Sequence, residues 1–241
     1  MRLLELEPSV GLGDGIAGYL PSVWSDSDFI QTVTIHELLD HTSGVAGAGV
    51  PGFTANTYDS DYARSKDIGQ TGLDPSDTVA TGYAYSNANY GFLRLLIAGL
   101  EGASYTGTDS SDATNAIGAY ATVIQCEVFD KAGPSNGAGG FVGITPSASP
   151  SVVQYYAWGT TLPGWSIGNR SDNLASGGYY FSVLDLAQLM AYLNHTTQIL
   201  TWQSREALYD SFFGLTDGAR AAQNPNGSHG WYYLKAGSLA N

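Results

Sequence analysis

With 241 residues, 43% apolar content and 12% aromatics, the chain can bury a substantial core, which excludes an intrinsically disordered protein. Nine Lys and Arg against 22 Asp and Glu give a formal charge of -13, so nucleic acid and anionic membrane would be repelled as partners. Its single cysteine, Cys126, excludes an internal disulfide framework and leaves a structural zinc site without a second sulfur ligand.

From the N-terminus, MRLLELEPSV is too short and too acidic to read as a signal peptide. No apolar run reaches the ~18 residues that would span a bilayer. Abundant Gly and Tyr with few lysines lean towards an exported protein, periplasmic or extracellular, whereas the sequons at Asn169, Asn194 and Asn226 decide nothing about compartment.

The first helix signal is Thr34-Ile-His-Glu37, a capping box ahead of Leu38 and Leu39. It predicts a short helix over about 35–41, with Gly44 available as the left-handed residue that ends it. Beyond Asn87, Tyr90, Leu93, Leu96, Ile97 and Leu100 recur at helical steps and close at Gly102, with Ser86 or Asn87 as N-cap. The mostly apolar stretch over about 112–129 predicts another helix ending before Gly133-Pro134, with Cys126 as a core thiol.

From there to about residue 174 the chain is rich in Gly, Ser, Pro and Thr and reads as loop. Ser182-Val-Leu-Asp185 forms a second capping box, with Leu186, Leu189, Met190 and Leu193 on one face, and Ser204 opens a last helix through Phe212. Strand candidates are Phe141 to Thr145, Val152 to Trp158 and Trp231 to Leu234. No strand–helix alternation and no internal repeat is visible, so the chain reads as mostly helix and loop.

Several motifs fail on context. Gly47 to Gly52 fits a dinucleotide fingerprint but follows a helix, whereas a phosphate cradle needs a strand before it and a helix N-terminus after it. His36 and His41 sit five apart, about 140° around a helix of 3.6 residues per turn, and cannot share a metal from one face. Gly133-Pro-Ser-Asn-Gly137 matches a nucleophile elbow around Ser135, with Asp185 or Asp217 and then His229 in the right order for a triad. The predicted helix ahead of it stands where that elbow needs a strand. Ser43, two residues after His41, reads as a structural hydroxyl that begins a turn.

The ordered set of remaining motifs resembles the serine β-lactamase and penicillin-binding-protein superfamily, in particular its class C β-lactamase, D-alanyl-D-alanine peptidase and family VIII esterase branch. Val33 to Gly44 is similar to that branch's helix ending in His-Thr-Ser-Gly, and Gly13 to Pro21 to the stretch leading to its Tyr-Leu-Pro. Tyr85-Ser-Asn87 stands at the family's Tyr-x-Asn, Ala175 to Ala187 at its Gly-Gly turn and following helix, and Lys235-Ala-Gly237 at its Lys-Thr-Gly strand.

Two departures matter. Ala236 replaces the hydroxyl residue of Lys-Thr-Gly, and Ser-x-x-Lys is absent, because Lys66, Lys131 and Lys235 follow Ala63, Val128 and Tyr232 at the spacing required. The resemblance implies an α/β fold of the α+β type, one β-lactamase-related domain over 1–241, truncated at both ends. Such a domain would consist mostly of the helical region, with a remnant of the antiparallel sheet near residues 231–239.

By the same resemblance, Tyr85 would relay the proton of the nucleophilic serine with the absent lysine. Lys235 would supply a positive field and attract a substrate carboxylate, Asn87 would bind a substrate amide, and Gly237 and Ser238 would line the site, the Ser238 N–H as an oxyanion donor. The implied substrate is a small ester, a β-lactam or a peptidoglycan-like D-amino-acid amide, with no cofactor and no metal. The residues alone leave plainer readings open: Tyr85 and Asn87 as an aromatic and a cap at a helix start, Lys235 as a strand-edge lysine, or a noncatalytic binding protein that kept the cleft.

Overall fold

The computed structural model describes residues 1–45, 62–72, 82–133, 171–179, 181, 183–211 and 213. Seven α-helices appear there in order: α1 (Arg2–Leu6), α2 (Ile35–Leu39), α3 (Tyr62–Thr71), α4 (Asn87–Leu100), α5 (Asp109–Ile124), α6 (Val183–His195) and α7 (Trp202–Asp210). Among the described residues the extended pairing consists of two isolated bridges, Gly15 with Thr34 and Leu174 with Gly177. The candidate strands and the sheet remnant expected near residues 231–239 lie outside the described residues.

The capping box that opens α2 forms as its sequence predicts: Glu37 N–H donates to Thr34 Oγ1, and the Glu37 carboxylate accepts from Thr34 N–H at 2.8 Å. The helix stops at Leu39, earlier than expected. The chain turns at His41, whose φ of 61° is left-handed, so the reversal starts before Gly44, which also has a positive φ of 78°.

Helix α4 is the centre of the molecule. Ala88, Phe92, Leu95, Leu96 and Ala98 are buried, and α2, α3, α5 and the 3-10 turn Ala17–Tyr19 all pack on it. A helix enclosed on several sides needs apolar residues beyond one stripe, and each large side chain so buried contributes about 1.5–3 kcal/mol. The close approach of Tyr19 requires Gly99, since a Cβ there would run into the Tyr19 carbonyl oxygen. Around α4 the core continues through Ile16, Ile30, Val33, Leu38 and Ile68.

A buried polar chain ties α3 to α5. Trp24 Nε1 donates to the Tyr62 hydroxyl at 3.1 Å, which donates to Asp112 at 3.4 Å. Asp112 also accepts from Thr106 N–H at 2.7 Å, the Thr106 hydroxyl at 3.0 Å and Gly107 N–H at 2.9 Å. Desolvation pushes its carboxyl upward, but these donors outweigh it and hold it below the usual carboxylate range.

A second cluster joins Phe129, Ala132, Ile199 and Leu200 to Leu189, Tyr192 and Leu193 of α6. Three expectations are corrected here. The last helix is opened by Thr201, which accepts from Ser204 N–H, and not by Ser204 itself. On α6, Leu189 and Leu193 face the cluster, but Leu186 and Met190 are exposed, so only half of its expected apolar face is covered. Cys126 is exposed: α5 passes into a π turn, Gln125–Phe129, which carries Phe129 inward and leaves the thiol in solvent.

Candidate active site

Tyr85 and Asn87 stand on the turn that leads into α4. Ser86 is the N-cap, accepting from Ala88 N–H at 3.3 Å, which makes Asn87 the first helical residue. The Tyr85 phenol donates to Asn87 Oδ1 at 2.7 Å, and Tyr85 is 47% exposed. A hydroxyl and a carboxamide thus share a hydrogen bond on an open surface.

Beneath them lies a buried polar frame. His41 is 1% exposed and Asn89 fully buried. The Asn89 amide nitrogen lies 3.0 Å from His41 Nδ1 and 3.3 Å from the Ser86 carbonyl, while its oxygen accepts from Ser43 Oγ at 2.5 Å. Ser43 Oγ accepts in turn from Val45 N–H at 3.1 Å, so this hydroxyl begins a turn, in keeping with its structural reading. The His-Thr-Ser-Gly segment is therefore the bracket that carries the Tyr85 turn.

Three tyrosines surround His41, with ring centroids 5.8 Å away for Tyr83, 4.6 Å for Tyr85 and 5.3 Å for Tyr90. Burial, then the neighbouring Tyr85 and Tyr83, push the Tyr90 phenol well above its ordinary value. Tyr90 donates to the Leu39 carbonyl at 3.5 Å and reads as packing between α4 and α2. Exposed Tyr83 and Tyr85 form the outer surface of this aromatic group.

Of the residues assigned from sequence, Tyr85 and Asn87 are brought together, whereas Lys235, Gly237 and Ser238 lie outside the described residues. His36 pairs with Asp40 at 3.4 Å on an exposed surface while His41 is buried, which keeps them from one metal. Among the described residues no group of three or more His, Cys, Asp or Glu could hold a metal ion. Ser135, Asp217 and His229 lie outside the described residues. Asp185 sits in the first turn of α6, and the stretch before Gly133 is helical through Asp130–Ala132, not the strand a nucleophile elbow needs.

Sequence reasoning missed Asn89 and the bracing role of His41. The available signal was position: Asn89 falls three residues after the Ser86 cap, inside a helix whose buried residues are apolar apart from Asn89 and Arg94, where an amide with no job would be costly.

The sequence model of the family described as Beta-lactamase matches residues 3–239. A search of curated proteins returns no match. Among solved structures, the octameric penicillin-binding protein homologue from Pyrococcus abyssi aligns at 18% identity with a TM-score of 0.47, over 86% of this chain and 44% of its own. This chain thus spans less than half of that neighbour's length. No helix among the described residues is long and apolar enough to cross a membrane. With nearly all of its length matched by the family model, the chain belongs to the β-lactamase family, within the serine β-lactamase and penicillin-binding-protein superfamily.

Proposed function

We propose that this chain supplies the tyrosine and asparagine side of an acyl-transfer site that acts on an ester, a β-lactam or a D-amino-acid amide. The observation that carries this reading is the Tyr85 phenol, solvent-facing and hydrogen-bonded to Asn87 at 2.7 Å, above a buried frame built from the His-Thr-Ser-Gly segment. Tyr85 takes the serine proton and returns it to the leaving group, Asn87 holds the substrate amide, and Lys235 adds the positive field that favours the phenolate. Gly237 and the Ser238 N–H complete the oxyanion side. Replacement of the usual hydroxyl residue by Ala236 removes a hydrogen bond to a substrate carboxylate and favours a neutral ester.

The 241 residues contain no Ser-x-x-Lys, so they form no acyl-enzyme by this route on their own. Nitrocefin and p-nitrophenyl acetate are expected to survive incubation with the chain, and a fluorescent penicillin and a fluorophosphonate to leave it unlabelled. Labelling at Ser135 would instead establish the α/β-hydrolase alternative. The coding sequence ahead of Met1 separates a hydrolase from a binding protein that kept the cleft. An in-frame Ser-x-x-Lys there should give a longer product that penicillin labels, and Tyr85→Phe should slow that labelling by about 10²–10⁴-fold. Labelling indifferent to Tyr85→Phe would remove the proposed relay.

A further inference from the structure

Resting on the assignment of Tyr85 to the proton relay, we propose that His41 is the positioning residue of this site: held as the neutral tautomer protonated on Nε2, it grips the chain on both sides of Tyr85. The carbonyl of His41 accepts from Ala84 N–H at 2.8 Å, and its Nδ1 accepts from Ser86 N–H at 3.3 Å. These are the two amides that flank Tyr85. Ser86 is extended, with φ -148° and ψ 131°, and in extended chain alternate residues face the same way, so one residue holding 84 and 86 fixes the register of the side chain between them. The imidazole then meets the Tyr85 ring itself, at 4.6 Å between centroids and a 44° tilt.

The tautomer follows from the donors around Nδ1. A backbone N–H can only donate, so the nitrogen facing Ser86 carries its lone pair. Asn89 presents a second donor at 3.0 Å, and its amide cannot be turned round, because the same nitrogen also reaches the Ser86 carbonyl, an acceptor only. In a neutral imidazole with Nδ1 accepting, the proton sits on Nε2. Burial at 1% exposure keeps His41 from touching a substrate, so it acts through Tyr85.

The backbone supports the same assignment. At φ 61° His41 occupies the left-handed region, where glycine would be relaxed but would offer no ring to Ser86 and Tyr85. Asparagine is the informative substitute, since it tolerates this φ and carries an acceptor near the place of Nδ1. Leucine keeps the bulk and removes the acceptor.

The test is nuclear magnetic resonance on the 241-residue chain with 15N-labelled histidine and backbone and 13C-labelled tyrosine rings, Tyr85→Phe assigning the Tyr85 signal. His41 is expected to show the Nε2–H tautomer and a scalar coupling from Ser86 N to Nδ1 across the hydrogen bond. Loss of the imidazole ring current shifts the Tyr85 signal in any His41 variant, so the readout is the 13C relaxation of the Tyr85 ring. His41→Asn should leave that ring as rigid as in the parent, and His41→Leu should raise its mobility to that of a freely rotating tyrosine while Tyr62 and Tyr120 keep theirs. A proton on Nδ1, a missing coupling, or a Tyr85 ring as rigid in His41→Leu as in the parent would overturn the proposal. Should His41→Leu fail to fold, the tautomer and coupling of the unsubstituted protein still decide. Loss of the penicillin result would remove the catalytic reading of Tyr85 and leave this grip intact, whereas a Tyr85 ring still rigid in His41→Leu would do the reverse.

Discussion

Asp112 shows how one side chain can set the acid limit of this fold. Its carboxylate is buried, takes four hydrogen bonds from Thr106, Gly107 and Tyr62, and is held below its ordinary pKa. A carboxyl lowered in the folded state stabilises it above the unfolded pKa of about 4, and that stability is lost as pH falls through the folded value. Asp112→Asn is expected to cost about 1.5–3 kcal/mol near neutrality. It should also flatten the fall in stability below about pH 4, which urea melts across pH 3 to 7 would read. A variant as acid-sensitive as the parent would contradict this. Cys126 makes a simpler case: its exposed thiol should react with an aromatic disulfide in the native protein as fast as after unfolding, and protection would show that the thiol is covered. The sequence put it in the core because its neighbours are apolar, yet Cys126 is five residues from inward-facing Ala121, about 140° around a helix.

Among the elements, α4 was the most legible because cap, period and stop agree: Ser86 opens it, apolar residues recur at three and four, and Gly102 closes it with φ 74°. Helix α3 was invisible, since YARSKDIGQT offers little apolar periodicity and its buried members include Arg64 and Ser65. The cap of α7 was misplaced by three residues because Thr201 and Ser204 are both hydroxyl residues, and only the geometry shows which accepts. What the sequence hides most completely is close approach between elements. Gly99 sits in the last turn of α4, still within the helix, where alanine is normally the better residue by up to about 1 kcal/mol. Here Gly99→Ala drives a methyl into the Tyr19 carbonyl and is expected to destabilise by about 1–3 kcal/mol. A stabilised Gly99→Ala in a thermal melt would mean that α4 and the 17–19 turn lie further apart.

At the level of the whole molecule, α6 exposes Val183, Leu184, Leu186 and Met190, and α7 exposes Trp202. Apolar surface of this kind promotes association, so the isolated chain should scatter light increasingly with concentration. Leu184→Lys with Leu186→Glu should reduce that scattering while changing stability by no more than about 0.5 kcal/mol, as is usual for surface sites. Scattering unchanged by the pair would place the contact elsewhere. Of the proposed site, the half made from one stretch of chain was readable in order: Tyr85 and Asn87 are two residues apart and share one turn. Its supporting frame was not, because His41 and Ser43 reach Asn89 across 48 and 46 residues and only folding brings them together.

The central claim is that the phenol of Tyr85 and the ammonium of Lys235 serve one site. Proton–proton cross-relaxation between the Tyr85 ring and the Lys235 side chain, in protein labelled selectively at tyrosine and lysine, tests it directly. The expected result is a cross-peak that disappears in Lys235→Ala while the Tyr85 signal stays in place. A Lys235 side chain that shows contacts to other residues and none to Tyr85 would contradict the account.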